Sequence, residues 1–366
     1  MKFIITQKQS KRLIKEALGV PKSIEFWADT FSDVINDGLL MLLSSEDKEV
    51  FFTGDDVQTK AVSRGWNSSN DKFLDFPLAE PQLNLKLNIV PDESIRSGDD
   101  YIDAASFDTS EINLVDATFD DGKTLPLVVG GIINMEINIP ESSYENGSFV
   151  ELYNSEIKPY AESVLFHELT HVYEFYKRIL SNSAKPNFEQ VANLTQMLNK
   201  MGAVDDWDEL MFMIYLHLSF ELNARISEVY GLLRNKNINS KEEFIEFLKT
   251  SRAFSYAKRL NNFSAQKFFD DFELTQETID RVREYDGKKT PIEEIKNVVL
   301  DQLIQNWSVT YEDFLKDFSA DETITIPNLS NKVLSSPQNF LKFWEKRFNK
   351  AGHDSLRKIS RLYSAI

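Results

Sequence analysis

The sequence predicts an α+β protein: helices at the N-terminus, a small mixed β-sheet, and a large, mostly α-helical C-terminal part. Three observations predict it. Apolar residues recur at helical spacing before residue 45 and again beyond residue 161. Between them, over residues 83–140, the apolar period falls to two. Hydrophobic residues make up 42% of the chain and aromatics 12%, enough to fill a core around both kinds of element.

The elements follow in order. Residues 6–18 are predicted helical, with Thr6 as N-cap and Gly19 as stop. Residues 22–44 form a second helix opened by Pro21, with Phe26, Trp27, Phe31, Val34, Ile35, Leu39 and Leu40 on one stripe. Residues 45–80 read as irregular, punctuated by Gly54, Gly65 and Pro77, with Pro81 just beyond. Leu83, Leu85, Leu87 and Ile89 then alternate with polar residues, as a half-buried strand does. Ile112–Val115 and Leu127–Val129 are two more strands, with a turn at Asp120-Asp121-Gly122 between them. In Gly131–Pro140 the alternation is cleanest, over Ile133, Met135, Ile137 and Ile139. The sheet therefore has about four or five strands and immediately precedes a helix over 161–180, a stretch without Pro or Gly that follows Pro159. Further helices are expected over 187–201, 205–233, 241–250, 264–272, 275–285, 291–317 and 336–364. Three regions result: N-terminal helices over 1–45, a core over 46–235, and helices over 236–366. There is no internal repeat and no low-complexity linker.

Charge and composition narrow the partners. The formal net charge is −17, and residues 71–150 carry −12 of it, with sixteen Asp and Glu against four Lys and Arg. Such a balance argues against a nucleic-acid-binding face. No stretch approaches 18 apolar residues, so no membrane span is expected. The first eight residues turn polar at once, unlike a signal peptide, and Cys is absent, which rules out both disulfides and thiolate ligands. The expected location is the cytoplasm, or a particle assembled there.

The residues that carry chemistry lie in Phe166-His167-Glu168-Leu169-Thr170-His171-Val172-Tyr173-Glu174. Two of the chain's four His fall in this one stretch, four residues apart, so a helix puts them on one face where both can bind one Zn2+. Glu168 stands about 100° round the helix, where a carboxylate can take a proton from water at that ion. Val164, Leu165, Leu169, Val172 and Phe175 can bury the rest of the helix. Glu174, one turn past His171, is a candidate acceptor behind it. Catalytic zinc takes three protein ligands, so one more is needed. The helix over 205–233 offers candidates in His217, Glu221 and Glu228, and His353 lies far along the chain. Tyr215, His217, Arg225 and Tyr230 are candidate donors to a developing oxyanion.

His167-Glu168-Leu169-Thr170-His171 resembles the zinc motif of thermolysin-type peptidases, and Glu221-Leu222-Asn223-Ala224 resembles the Glu-x-x-Ala of a second-helix ligand motif in zincins whose third ligand is glutamate. The resemblance, which covers these two short segments, implies a gluzincin-like zinc metallopeptidase with its sheet packed on the motif helix and an edge strand along the cleft. Residues Gly131–Ile139 are the candidate for that strand, with Gly130-Gly131 letting a substrate backbone approach. It implies His167, His171 and Glu221 as ligands, Glu168 as general base, and a peptide or protein substrate. Ala224, one turn past Glu221, leaves room for the helices to close, and Arg225 can orient the Glu221 carboxylate. In a second register Ala224 itself takes the ligand position, so Glu228 and His217 stay open as third ligands. The opening residues 4–16 are similar in style to bacteriophage proteins. The alternative function is accordingly a non-catalytic, virion-associated structural protein on the same scaffold, with the C-terminal helices meeting an assembly partner.

Overall fold

A computed structural model describes residues 21–67, 71, 82–95, 101–108, 112–118, 124–181, 208–234, 236, 238–286, 290–317 and 331–363. The helices expected over 6–18 and 187–201 and the turn at 120–122 lie outside the described residues. The architecture is mixed α+β. The chain divides into two compact units. One comprises Met1–Pro186, Asn223–Ala253 and Lys358–Ile366, and the other Asn187–Leu222 and Phe254–Arg357.

In the first unit, α1 (Lys22–Leu43) buries Trp27, Phe31, Val34, Ile35 and Leu39 of the expected stripe, and Ile24 besides, whereas Phe26 is half-buried and Leu40 is exposed. Each such side chain, fully buried, stabilises by roughly 1.5–3 kcal/mol. A second stripe on α1, at intervals of four, is polar. Glu25 accepts from Tyr230 at 2.8 Å, Asp29 from Arg234, Asp33 from Arg64, and Asp37 from Lys60 at 2.7 Å. The helix is thus held on one side by packing and on another by ion pairs.

The stretch predicted to be irregular contains β1 (Glu49–Phe52) and α2 (Gly54–Ser63), the latter opened by a capping box between Thr53 and Asp56. Then follow β2 (Asn84–Asp92), β3 (Ile102–Asp108), β4 (Asn113–Thr118), β5 (Thr124–Val129) and β6 (Ile132–Pro140). β4 and β5 form a separate two-stranded ribbon. The other four make one sheet in the order β1-β2-β6-β3, with β2 and β6 parallel and both outer pairs antiparallel. The alternation of β2 and β6 is realised: Leu85, Leu87, Ile89, Ile133, Met135, Ile137 and Ile139 are buried.

Two sequence expectations change here. β6 is not an edge strand, because β2 and β3 pair with it on either side and use its backbone groups. Gly131 does not open a path for substrate either. Its φ is +107°, and a Cβ there would meet the Phe107 ring at 2.7 Å, so the glycine serves a left-handed backbone and a close side chain.

After β6 come the short helices α3 (Glu141–Glu145) and α4 (Phe149–Leu152), a π-helical turn over Tyr153–Ile157, and α5 (Lys158–Ser181). Pro159 has no N–H and its ring would clash with the preceding carbonyls of a regular helix, so the wide turn falls just before it. α5 packs against α1 and β3. Phe107 and Phe175 meet edge to face at 6.0 Å, and the Tyr176 hydroxyl donates to the Gly130 carbonyl at 2.8 Å.

The single helix expected over 205–233 is two, α6 (Asp208–Leu216) and α7 (Ser219–Arg234). α8 (Lys241–Thr250) follows the sequence reading residue for residue. The second unit contains α6, most of α9 (Arg252–Asn261), α10 (Ala265–Asp271), α11 (Gln276–Asp286), α12 (Ile292–Asp317) and most of α13 (Pro337–Leu362). Its core includes Leu210, Ile214, Leu260, Ile295, Phe340 and Trp344. No described helix is long and apolar enough to cross a membrane.

Candidate metal centre

Helix α5 presents His167 and His171 one turn apart, with their Nε2 atoms 3.1 Å from each other and their rings nearly perpendicular. The first turn of α7 adds Glu221. Donor atoms of these three residues lie within 4.8 Å of one another, so among the described residues they form a group that could hold a metal ion. Glu221 has no exposed surface and His167 only 6%. A carboxylate so enclosed is costly unless a cation or strong donors face it.

The spacing fits zinc. Two nitrogens at about 2.0–2.1 Å in a tetrahedral site stand roughly 3.3 Å apart, close to the 3.1 Å between the two rings. A donor set of two imidazoles and one carboxylate is also one that catalytic zinc uses.

The boundary between the two units falls after Leu222, inside α7. Helix α7 itself runs from Ser219 to Arg234. Where α7 faces α5, the order of contacts is fixed. Glu221 meets the histidine pair, Glu228 lies opposite His167, and Gly231 lies against Ser163 and Phe166. Contacts that ascend one helix descend the other, so the two run antiparallel. Ala224 is fully buried, as a small residue between close helices should be, and Gly231 marks their tightest approach.

Glu168 is buried, and its Oε1 lies 4.0 Å from His167 Nε2, the nitrogen that faces the cluster. Its carboxylate is therefore beside the place where an ion would sit without being one of the grouped donors.

The other sequence candidates separate. Glu228 is not among the grouped donors. Its Oε2 lies 3.6 Å from Nδ1 of His167, the nitrogen turned away from the cluster, and accepts from Arg225 at 3.0 Å. At 3.6 Å this is longer than a hydrogen bond, but the carboxylate lies on the side from which it could orient a ligating imidazole. The sequence assigns Arg225 to steadying Glu221. Arg225 donates to Glu228, three residues on, at 3.0 Å, and Glu221 Oε2 accepts from the Tyr215 hydroxyl at 2.6 Å. Tyr230 is engaged elsewhere, donating to Glu25 of α1, and burial pushes its pKa up, with the Glu25 carboxylate adding to the shift. Glu174 is half-buried on α5, outside the donor cluster.

His217 is no ligand. Its ring stands between Trp344 at 5.2 Å and Phe348 at 5.6 Å, and its Nδ1–H donates to the Ile214 carbonyl. Burial pushes its pKa down to about 4, so it is neutral near neutrality. That local bond also explains why α6 stops: it takes a carbonyl that a continuing helix would use. The break hides from the sequence the role of Tyr215 as donor to Glu221. Gly231, a glycine inside a helical pattern, is the legible sign of a close crossing.

Comparison of the chain with family models, curated proteins and solved structures gave no match.

Proposed function

We propose that this chain is a zinc-dependent endopeptidase of gluzincin-like, zincin-type architecture, acting on peptide or protein substrates. The observation that carries the reading is the convergence of buried His167, half-buried His171 and buried Glu221 from two antiparallel helices, with Glu168 beside it. The packing of the motif helix on a small mixed sheet supports the same architecture.

In this reading His167 and His171 would hold the ion through Nε2 and Glu221 through a carboxylate oxygen. Bound zinc supplies a Lewis acid that brings the pKa of water down to about 7 and polarises a carbonyl. Glu168 takes the proton from the attacking water and passes it to the leaving amine nitrogen. Glu228, braced by Arg225, fixes the ring of His167. The Tyr215 hydroxyl donates its one proton to Glu221 Oε2 and would steady that carboxylate rather than an oxyanion.

The test is Glu168→Gln. Zinc content should equal that of the wild type while peptide cleavage falls by about 10²–10⁴-fold, the usual span of a general base. Cleavage at the wild-type rate by a zinc-loaded Glu168→Gln protein would refute the mechanism.

A further inference from the structure

Tyr215, His217 and Glu221 lie within seven residues, all in the second unit. In an unbroken helix, residues 215 and 221 would stand about 120° apart around the axis and about 9 Å apart along it. Their side chains could not meet. They do meet, at 2.6 Å from the Tyr215 hydroxyl to Glu221 Oε2, because the helix breaks between them.

The break has a visible cause. A continuing helix would bond the Leu218 N–H to the Ile214 carbonyl. The Leu218 N–H goes instead to Tyr215, at 3.1 Å, and the Ile214 carbonyl accepts from the His217 ring. That ring is fixed by Trp344 and Phe348, which are fully buried in the aromatic core of the second unit. The next helix then starts with Leu222 N–H on the Leu218 carbonyl at 3.0 Å, which sets Glu221 in the first turn of α7, where the helix dipole favours a carboxylate.

We propose that Tyr215 and His217 are positioning residues for the metal centre: His217 makes the break, and Tyr215 uses it to orient the Glu221 carboxylate. This rests on the reading of His167, His171 and Glu221 as a metal site. The Tyr215 bond occupies one carboxylate oxygen and leaves the other to the ion. At 2.6 Å it belongs to the short, strong class of hydroxyl-to-carboxylate bonds. His217 acts through geometry alone, as a neutral ring. Within the second unit, the aromatic core around His217 thus sets how Tyr215 and Glu221 are presented.

The experiment is titration of the metal-stripped full-length chain with cobalt(II), read by visible absorption, for the wild type, Tyr215→Phe, His217→Leu and His217→Asn. Thermal unfolding of each apo protein is measured alongside. Tyr215→Phe should bind cobalt about 10–100-fold more weakly, the usual effect of losing a group behind a ligand, with an altered visible band, while the apo protein still unfolds cooperatively. His217→Leu should weaken cobalt binding similarly. His217→Asn, whose amide can still donate to the Ile214 carbonyl, should restore part of the affinity. A Tyr215→Phe protein with wild-type cobalt affinity and spectrum would overturn the proposal. If His217→Leu and His217→Asn lose affinity and apo stability alike, the role assigned to His217 fails and it is core packing. If the wild type binds no cobalt, the metal centre itself is wrong and this inference falls with it.

Discussion

Replacing Gly231 by Ala tests how closely the two ligand helices approach. A Cβ built at Gly231 would lie 2.7 Å from Phe166 Cδ2 and 3.0 Å from the backbone Cα of Ser163, against about 3.5–4.0 Å for comfortable carbon contacts. Phe166 is fully buried and has nowhere to retreat. The helices must therefore part locally by roughly 0.5–1 Å, and such overpacking costs about 1–3 kcal/mol. Helix propensity works the other way: Ala is better than Gly in a helix interior by about 1 kcal/mol. The net expectation is a loss of about 0–2 kcal/mol for Gly231→Ala, and a larger loss for Gly231→Val. Glu221 lies ten residues away, about 15 Å along α7, so metal binding should weaken less than stability does. Urea unfolding of the apo proteins, followed by far-UV circular dichroism, gives the answer. The sign is decisive. If Gly231→Ala stabilises the protein by the full 1 kcal/mol, the glycine faces open space and the close crossing is wrong.

Other outcomes follow from the same geometry. Glu228→Gln should keep the fold and lower zinc affinity about 10–100-fold in a chelator competition assay, because the carboxylate behind His167 is weakened. Gly352→Ala should destabilise severely, by roughly 3 kcal/mol or more, because the new Cβ would run into the backbone nitrogen of Asn261; thermal unfolding checks it. His217 gives a pH dependence with a defined sign. Its folded-state pKa of about 4 lies below the ordinary 6.5, so the unfolded chain takes up the proton first. Stability is untouched above pH 6.5 and falls as the pH drops from 6.5 to about 4, by up to about 3 kcal/mol. Comparing urea midpoints of metal-free wild type and His217→Phe across that range isolates the effect, since the variant should lack that part of the slope.

How much of this is legible in the sequence depends on whether the signal is local. The α1 stripe of Trp27, Phe31, Val34 and Ile35 and the alternation of Ile133 to Ile139 each encode burial within one element, and both appear as read. The motif on α5 is legible for the same reason, since the spacing of His167 and His171 fixes their shared face. Strand order is not legible. Alternation shows that one face of β6 is buried but not which strands flank it, and its parallel neighbour β2 is more than forty residues away. β1 has four residues, too few for a period to show. α9 leaves a faint pattern because two of its buried positions, Ala253 and Ala257, are alanines with little apolar weight. At the site, sequence spacing ranks Glu221 among three candidates. The fold separates them, since Glu228 faces the far nitrogen of His167 and His217 lies in an aromatic core. The helix break that joins Tyr215 to Glu221 turns on one ring bonding one carbonyl, which no periodicity reveals.

The most direct measurement is the zinc content of purified protein by elemental analysis, on the wild type beside His171→Ala and Glu221→Ala. One zinc per chain in the wild type, lost in both variants, is the expected result. Absence of zinc from the wild type after the metal has been supplied would contradict the metal centre. Zinc lost with His171→Ala but retained at full occupancy and affinity by Glu221→Ala would contradict the assignment of the third ligand.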